Sequence, residues 1–275
     1  MTQPESKLNV KVSNSRDSNC TYSIHVSASQ LKTLRNCPRL HWLQKVAQLP
    51  SQKPKVGAER GKKLHSLTET YLQTAPTFEG EGFQEFIEAQ GLWDHDLRHG
   101  IRSANENPYL TELRELSHNP NSGVELLVEQ EFHMDPVYLG FIDLVVLDRR
   151  GGELKVSIHD HKFTSDKRFI PTEEEARVDY QTVLYSKAVM LFFPVESVTF
   201  SYDYYGTKYK WQKSLEFTLT REDVAGIWSS VLYDTGRVLD NYKVPKGSLT
   251  KPNYLSCQMY GGCEFKHLCF GESSK

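Results

Sequence analysis

The sequence predicts an α/β (α+β) protein built on a central mixed β-sheet flanked by helices. Three β-prone runs, 123–134, 138–148 and 153–163, follow one another with short breaks. A helical run over 172–191 separates them from two further β-type runs, 195–206 and 208–220. Helical periodicity fills the region before residue 118 and returns over 221–243. That order, helices, strands, helix, strands, helix, is the basis of the assignment.

Composition narrows the class. The 275 residues are 38% hydrophobic and 25% charged, as in an ordinary soluble globular chain, and suffice for one large domain or two small ones. No window approaches the ~18 uninterrupted apolar residues of a membrane helix. The first twenty residues lack the apolar core of a signal peptide, so a cytoplasmic location and no membrane partner are expected. A net charge of −2 excludes a global basic field, so any nucleic-acid contact must come from local clusters.

Residues 1–22 read as a flexible polar arm and 23–275 as a single domain. Ser27 and Gln30 have the spacing of a capping box opening a helix, and Pro38 predicts a kink or break near Cys37. A second helix, about 57–73, carries Gly57, Gly61, His65 and Glu69 at steps of four, hence on one face. The two glycines are expected to admit another backbone, with His65 looking out of the contact. Less regular helices over about 78–118 read as an insertion, followed by a core of about 123–220 and a C-terminal helix and cysteine tail over 221–275.

The run that ends at Asp160-His161-Lys162 holds the candidate chemistry. Strand alternation puts Asp160 and Lys162 on one face and His159 and His161 on the other. A hairpin loop of Arg149–Gly152 pairs Asp148 with Glu153 and sets Asp143 opposite Ile158. Asp143 and Asp160 are then diagonal neighbours on the same face, ~7–8 Å apart at Cα. Both carboxylates would reach one hard divalent cation, and Asp143 interrupts an otherwise apolar run, where a buried acid needs a partner. The bland alternative is a pair of solvated strand ends. Glu129 or Glu131 would add a carboxylate; alternation places both on one face and does not choose between them.

These residues resemble the PD-(D/E)XK nuclease superfamily, in its RecB-like branch, which includes CRISPR-associated exonucleases. The branch pattern is G-x-x-x-H on a helix, G-x-[IV]-D on a strand, [DE]-x-K on the next, and Q-x-x-x-Y on the following helix. Here the pieces are Gly61 and His65, Gly140 to Asp143, Asp160 to Lys162, and Gln181 with Tyr185, in that order. The resemblance implies a restriction-endonuclease-like core. It implies that His65, Asp143, Asp160 and the backbone carbonyl of His161 ligate Mg²⁺ or Mn²⁺, imidazole favouring Mn²⁺. Lys162 would orient or help deprotonate the attacking water and offset charge on the phosphate, while Gln181 and Tyr185 would position the nucleic acid or the lysine.

The five cysteines are Cys20, Cys37, Cys257, Cys263 and Cys269. An odd count in a cytosolic chain argues against a disulfide framework. The resemblance implies that Cys37, Cys257, Cys263 and Cys269 hold a [4Fe–4S] cluster as a structural clip; four thiolates also suit zinc. Cys20 is left over.

Candidate DNA contacts are residues 62–65, 162–168 and 202–211, the last interleaving aromatics with lysines. On sequence alone the stretch reads first as a half-buried hairpin whose aromatics pack on the core. The expected activity is a metal-dependent deoxyribonuclease, an exonuclease on single strands or duplex ends, with protein partners in recombination, repair, CRISPR or phage DNA processing. The other class is a non-catalytic nucleic-acid-binding subunit of a larger complex.

Overall fold

The structure is a computed structural model that describes residues 8–10, 24–50, 56–134 and 137–270. Strand β1 (Leu8–Val10) is followed by helices α1 (Ala28–Asn36), α2 (Pro38–His41), α3 (Val56–Gln73), α4 (Phe83–Ala89), α5 (Arg98–Asn105) and α6 (Pro108–His118). Strands β2 (Val124–Met134), β3 (Tyr138–Asp148) and β4 (Lys155–Thr164) come next, then α7 (Glu173–Arg177) and α8 (Tyr180–Phe192). The chain closes with β5 (Ser197–Gly206), β6 (Gln212–Thr220), α9 (Arg221–Lys243) and α10 (Lys266–Phe270).

The strands form one mixed sheet in the order β1-β2-β3-β4-β5-β6. Pairing is parallel for β1/β2 and β4/β5 and antiparallel elsewhere. The α7–α8 pair is the crossover that a parallel β4/β5 contact requires. Within the expected N-terminal arm, Leu8–Val10 pairs with Phe132–Met134; the rest of residues 1–22, Cys20 included, lies outside the described residues.

Each sheet face has its own apolar core. On one, Leu31 and Leu34 of α1, Val183 and Val189 of α8, and Val231 and Val238 of α9 cover Ile142, Ile158 and Phe200. On the other, Leu64 and Tyr71 of α3, Phe83 and Phe86 of α4, Ile101 of α5 and Leu113 of α6 cover Leu144, Val146 and Tyr205. Burial of each such side chain contributes roughly 1.5–3 kcal/mol.

Alternation reverses partway along β2 and β3. Val124 joins the second core, with Leu126 and Val128 packed against it, yet Phe132 and Met134 join the first. On β3, Leu144 and Val146 face the second core while Ile142 faces the first. The switch falls between the paired couples Val128–Leu144 and Gln130–Ile142, at Glu129 and Asp143. Glu129 sits at φ 50°, a conformation that costs a non-glycine residue about 1–3 kcal/mol. The dislocation falls at the two acids, Glu129 and Asp143, whose carboxylates approach one another.

Three expectations are corrected locally. The hairpin loop spans 149–154, because Asp148 pairs with Lys155, not Glu153; parity is unchanged. The run predicted as one helix over 172–191 divides, since Asp179 is extended and N-caps α8 by accepting the Gln181 N–H at 2.8 Å. Gly57 and Gly61 admit no neighbour, with nothing within 4 Å of where a Cβ would stand. Close approaches fall at other glycines, among them Gly100, where a Cβ would stand 2.5 Å from Leu64, and Gly140, where it would stand 2.6 Å from the Phe132 ring. Elsewhere Pro38 breaks the first helix as predicted: Cys37 is extended and caps α2, with Pro38 in its first turn.

Candidate active site

Five elements converge where β3 and β4 part. Their ladder ends at Leu144–His159; one residue further, in the same register, Asp143 would stand opposite Asp160. Beyond that point the Asp143 Oδ2 accepts the backbone N–H of His161 at 2.8 Å. Helix α3 brings His65, whose Nδ1 lies 3.4 Å from Asp143 Oδ2 and whose ring packs edge-on against Phe163. Glu129 arrives from the dislocated β2. One donor atom each from His65, Glu129 and Asp143 lie within 4.8 Å of one another. Two carboxylates and an imidazole at that spacing are a donor set for a divalent cation.

Asp160 belongs to the adjoining group. Its carboxylate is fully buried, with Oδ1 accepting from Gln181 Nε2 at 2.6 Å and Oδ2 against Lys162 Nζ. Lys162 Nζ also donates to Gln181 Oε1 at 3.2 Å, and Gln181 Nε2 donates to the Tyr185 hydroxyl at 3.0 Å. Gln181 and Tyr185 share one face of α8, one helical step apart.

Burial, and then the charge of Asp160, push the Asp143 carboxyl well above the usual carboxylate range. Burial, with Glu69 and Asp160, raises Glu129, and burial raises Asp160 despite the neighbouring Lys162 charge. His65 is pushed down to about 4 by burial and by the Lys162 charge, so near neutral pH its imidazole is neutral and able to ligate. Burial works against the Lys162 charge, but Asp160 and Asp143 outweigh it and hold the ammonium above its ordinary pKa. Three acids that resist joint ionisation are what a bound cation relieves.

The structure decides between the two glutamates. Glu131 accepts from His133 Nε2 at 2.8 Å, whereas Glu129 joins His65 and Asp143. The expectation that both share a face fails because Glu129 adopts a positive φ, which strand alternation cannot anticipate. His161 splits its roles: its N–H holds Asp143, while its side chain lies buried on the far face near Asp203. There His159 Nδ1 meets Asp203 Oδ2 at 2.9 Å, with Ser201 and Ser214 donating to Asp203 Oδ1. Nothing in the sequence spacing marked that buried network.

The cysteine set is also drawn together. Cys37, between α1 and α2, accepts N–H groups from Leu40 at 3.4 Å and Asn253 at 3.3 Å on its Sγ. The tail is tied to this turn by Asn253 Nδ2 and Ser256 Oγ, both donating to Asn36 O. Burial and the nearby Cys263, Cys269 and Cys37 raise the Cys257 thiol. All four are free thiols, and among the described residues no three of them lie within 4.8 Å of one another. A tetrahedral zinc site, with bonds of ~2.3 Å, would need sulfurs about 3.8 Å apart.

Of the expected basic patches, Lys63 pairs with Asp94 and Arg168 with Asp166, and Lys167 lies over Trp211. Tyr202, Tyr204 and Tyr205 are buried, so the 202–211 hairpin packs its aromatics on the cores; of its tyrosines Tyr209 alone is exposed. Among the described residues no helix is long and apolar enough to cross a membrane.

Residues 25–270 match the profile of the PD-(D/E)XK nuclease superfamily. Among solved structures the chain is similar to a protein from Eubacterium rectale named "Putative exonuclease", at 14% identity, covering 88% of this chain and 90% of that one, with a TM-score of 0.46. It is also similar to SSO0001, at 11% identity, covering 78% and 96%, with a TM-score of 0.32. No protein of curated function matches the sequence. The profile runs from before α1 to the cysteine tail and so takes in His65, Asp143, Asp160, Lys162 and Gln181. The chain belongs to the PD-(D/E)XK nuclease superfamily.

Proposed function

We propose that this chain is a divalent-metal-dependent DNA nuclease, working as an exonuclease on single strands or duplex ends. The observation that carries the reading is the gathering of His65, Glu129 and Asp143 donors within 4.8 Å, directly beside the Asp160–Lys162 pair. The chemistry of the donor set fits Mg²⁺ or Mn²⁺, with the neutral His65 imidazole favouring Mn²⁺. Asp143, Glu129 and His65 would hold the ion, Asp160 and the His161 carbonyl completing the shell. When bound, such an ion polarises the phosphate and makes water more acidic.

The chain's own groups supply the rest. Lys162, kept protonated by Asp160 and Asp143, sets a positive charge where negative charge develops on the phosphate. That protonation favours charge compensation over acceptance of the water proton. Gln181 fixes the Asp160 and Lys162 side chains, and Tyr185 fixes Gln181.

The four cysteines would hold a [4Fe–4S] cluster, with zinc the other candidate. Two N–H donors on Cys37 Sγ suit a thiolate ligand. Its role would be structural, since phosphodiester hydrolysis needs no redox step. Free thiols of this kind suit a cytoplasmic setting. The test is incubation of anaerobically purified protein with end-labelled single- and double-stranded DNA and Mn²⁺ or Mg²⁺. Cleavage that Asp160→Ala abolishes without unfolding supports the reading; full activity in that variant rejects it.

A further inference from the structure

The proposed hydrolysis leaves one buried carboxylate without a task, that of Asp203. Asp203 lies on β5 directly beside His161 of β4 on one side and Ser214 of β6 on the other. Strand alternation puts its side chain, with those of His159, His161 and Ser201, on the sheet face turned away from Asp160 and Lys162. His159 Nδ1 stands 2.9 Å from Asp203 Oδ2, and His161 Nδ1 stands 3.9 Å from the same oxygen. Ser201 and Ser214 donate to Oδ1 at 2.9 and 2.5 Å, and His159 Nε2 meets Ser157 Oγ at 3.2 Å. Asp203, His159 and His161 are each at most 3% exposed. Apolar side chains would fill the same space without the cost of desolvating polar groups, so packing alone does not call for this network.

The two histidines flank Asp160 in the chain, and β4 needs holding at that point. The β3–β4 ladder ends at Leu144–His159. Residues 160–162 are therefore held toward β3 by the His161 N–H bond to Asp143, and toward β5 by the parallel ladder. We propose that Asp203 is a positioning residue for the nuclease site: by gripping His159 and facing His161 from behind the sheet, it fixes the β4 backbone so that the Asp160 carboxylate and the His161 N–H and carbonyl keep their places. The inference rests on the nuclease reading and deepens it, naming a support for the site on the opposite sheet face. Oδ2 serves the histidines and Oδ1 the serines, so β4, β5 and β6 are pinned at one carboxylate. Groups one contact removed from metal-binding side chains orient them, and losing such a group lowers affinity or rate by about 10–100-fold.

The test compares Asp203→Ala, Asp203→Asn and Ser214→Ala with the wild-type full chain. Deuterium exchange of the His161 amide, read by NMR in chelator, reports the β4 backbone without metal or DNA. Cleavage of a labelled single strand in Mn²⁺ gives kcat and KM, and melting is followed separately. Asp203→Ala speeds His161 exchange and lowers kcat, each by about 10–100-fold at nearly constant KM, the scale of a lost hydrogen bond to a buried charge and of a lost partner behind a metal ligand. Asp203→Asn keeps an oxygen for His159 and recovers most of both losses. Ser214→Ala, at an exposed position, shows both in smaller measure, about fivefold, the scale of one hydrogen bond. Unchanged His161 exchange in Asp203→Ala overturns the proposal and leaves the nuclease reading standing. Faster exchange at wild-type kcat also overturns it, making Asp203 a support of the fold alone. Where Asp203→Ala fails to fold, Ser214→Ala decides by the same two outcomes. Exchange that depends on Asp203, in a protein that cleaves nothing in Mn²⁺, keeps the support of β4 and overturns the nuclease reading.

Discussion

Gln181 donates to Asp160 at 2.6 Å and in the same posture accepts from Lys162 at 3.2 Å, so one carboxamide sets the orientation of the acid and the ammonium together. The posture is fixed from below: Asp179 caps α8 so that Gln181 falls in its first turn, and Tyr185 meets the second Nε2 hydrogen. Tyr185 in turn packs edge-on against Phe132, over the space left by Gly140. The motif glycine, two strands and a helix are thus coupled to one side chain.

Gln181→Leu is therefore expected to reduce kcat by about 10–100-fold, the usual scale for loss of a group that orients ligands, with KM for a labelled strand nearly constant. Steady-state kinetics separate this from a role in holding DNA. A rise in KM at unchanged kcat would move Gln181 from positioning the site to binding the strand.

Asp143→Asn should make the protein more stable in chelator. Burial and Asp160 raise the folded-state pKa of Asp143, so its ionised form weakens the fold; that stability is present at acid pH and lost as pH rises through the folded pKa. Removing the charge restores it at neutral pH, and each 1 kcal/mol moves the melting midpoint by roughly 2–4 °C. Mn²⁺ at about a hundred times its Kd should stabilise the wild type by about 2.7 kcal/mol and the variant far less. Calorimetry with and without Mn²⁺ reads both effects, and equal Mn²⁺ shifts in the two proteins would remove Asp143 from the metal site.

The same electrostatics make ion binding proton-linked. Asp143 is pushed well above its ordinary value and Glu129 and Asp160 are raised, so the group takes up protons sooner than free carboxylates as pH falls, and these must leave when the ion binds. His65, at about 4, adds no proton until the pH is far lower. Mn²⁺ affinity should weaken between pH 7 and 5. Titration calorimetry in buffers of differing ionisation enthalpy should show proton release that shrinks in Glu129→Gln. Affinity flat across that window would contradict the shared protonation.

How much of this could be read from the chain depended on range. The strands and the Pro38 break follow from local period and turn chemistry. Parity also survived a loop two residues longer than expected, because register errors of two keep the face. What escaped were features set by distant packing. The division of α7 from α8 rests on Asp179, which in sequence is one acid among several. The choice of Glu129 rests on a positive φ within a strand, and the Asp203 network rests on β5 lying beside β4. The buried aromatics of 202–211 looked like a nucleic-acid surface because both uses call for the same residues.

Arg114 and Glu81 form a fully buried ion pair at 2.8 Å beneath the helical layer that carries His65. The guanidinium also donates to Thr74 O, Ala75 O and Glu81 O and lies over the Tyr71 and Phe86 rings. Arg114→Met leaves Glu81 buried without its main partner and should cost about 3–5 kcal/mol by urea unfolding. The double variant Arg114→Met with Glu81→Leu should recover part of that loss, because no lone charge remains. Additive losses in the double variant would show that the backbone contacts, not the pair, hold the layer.

The proposed cluster would join positions far apart in the chain, Cys37 and Cys257. Closing a loop of that length removes about 5 kcal/mol of unfolded-chain entropy in the cross-link treatment, so loss of the bound group should loosen the tail and the α1–α2 turn together. Cys263→Ser is expected to remove visible absorbance from anaerobically purified protein, lower the melting midpoint and expose the 244–270 tail to protease. Cys20→Ser should match the wild type on all three counts. A colourless wild type with one equivalent of zinc would replace the cluster with a single ion and require the sulfurs to close up on it. Undiminished colour and stability in Cys263→Ser would leave the four cysteines as packing thiols.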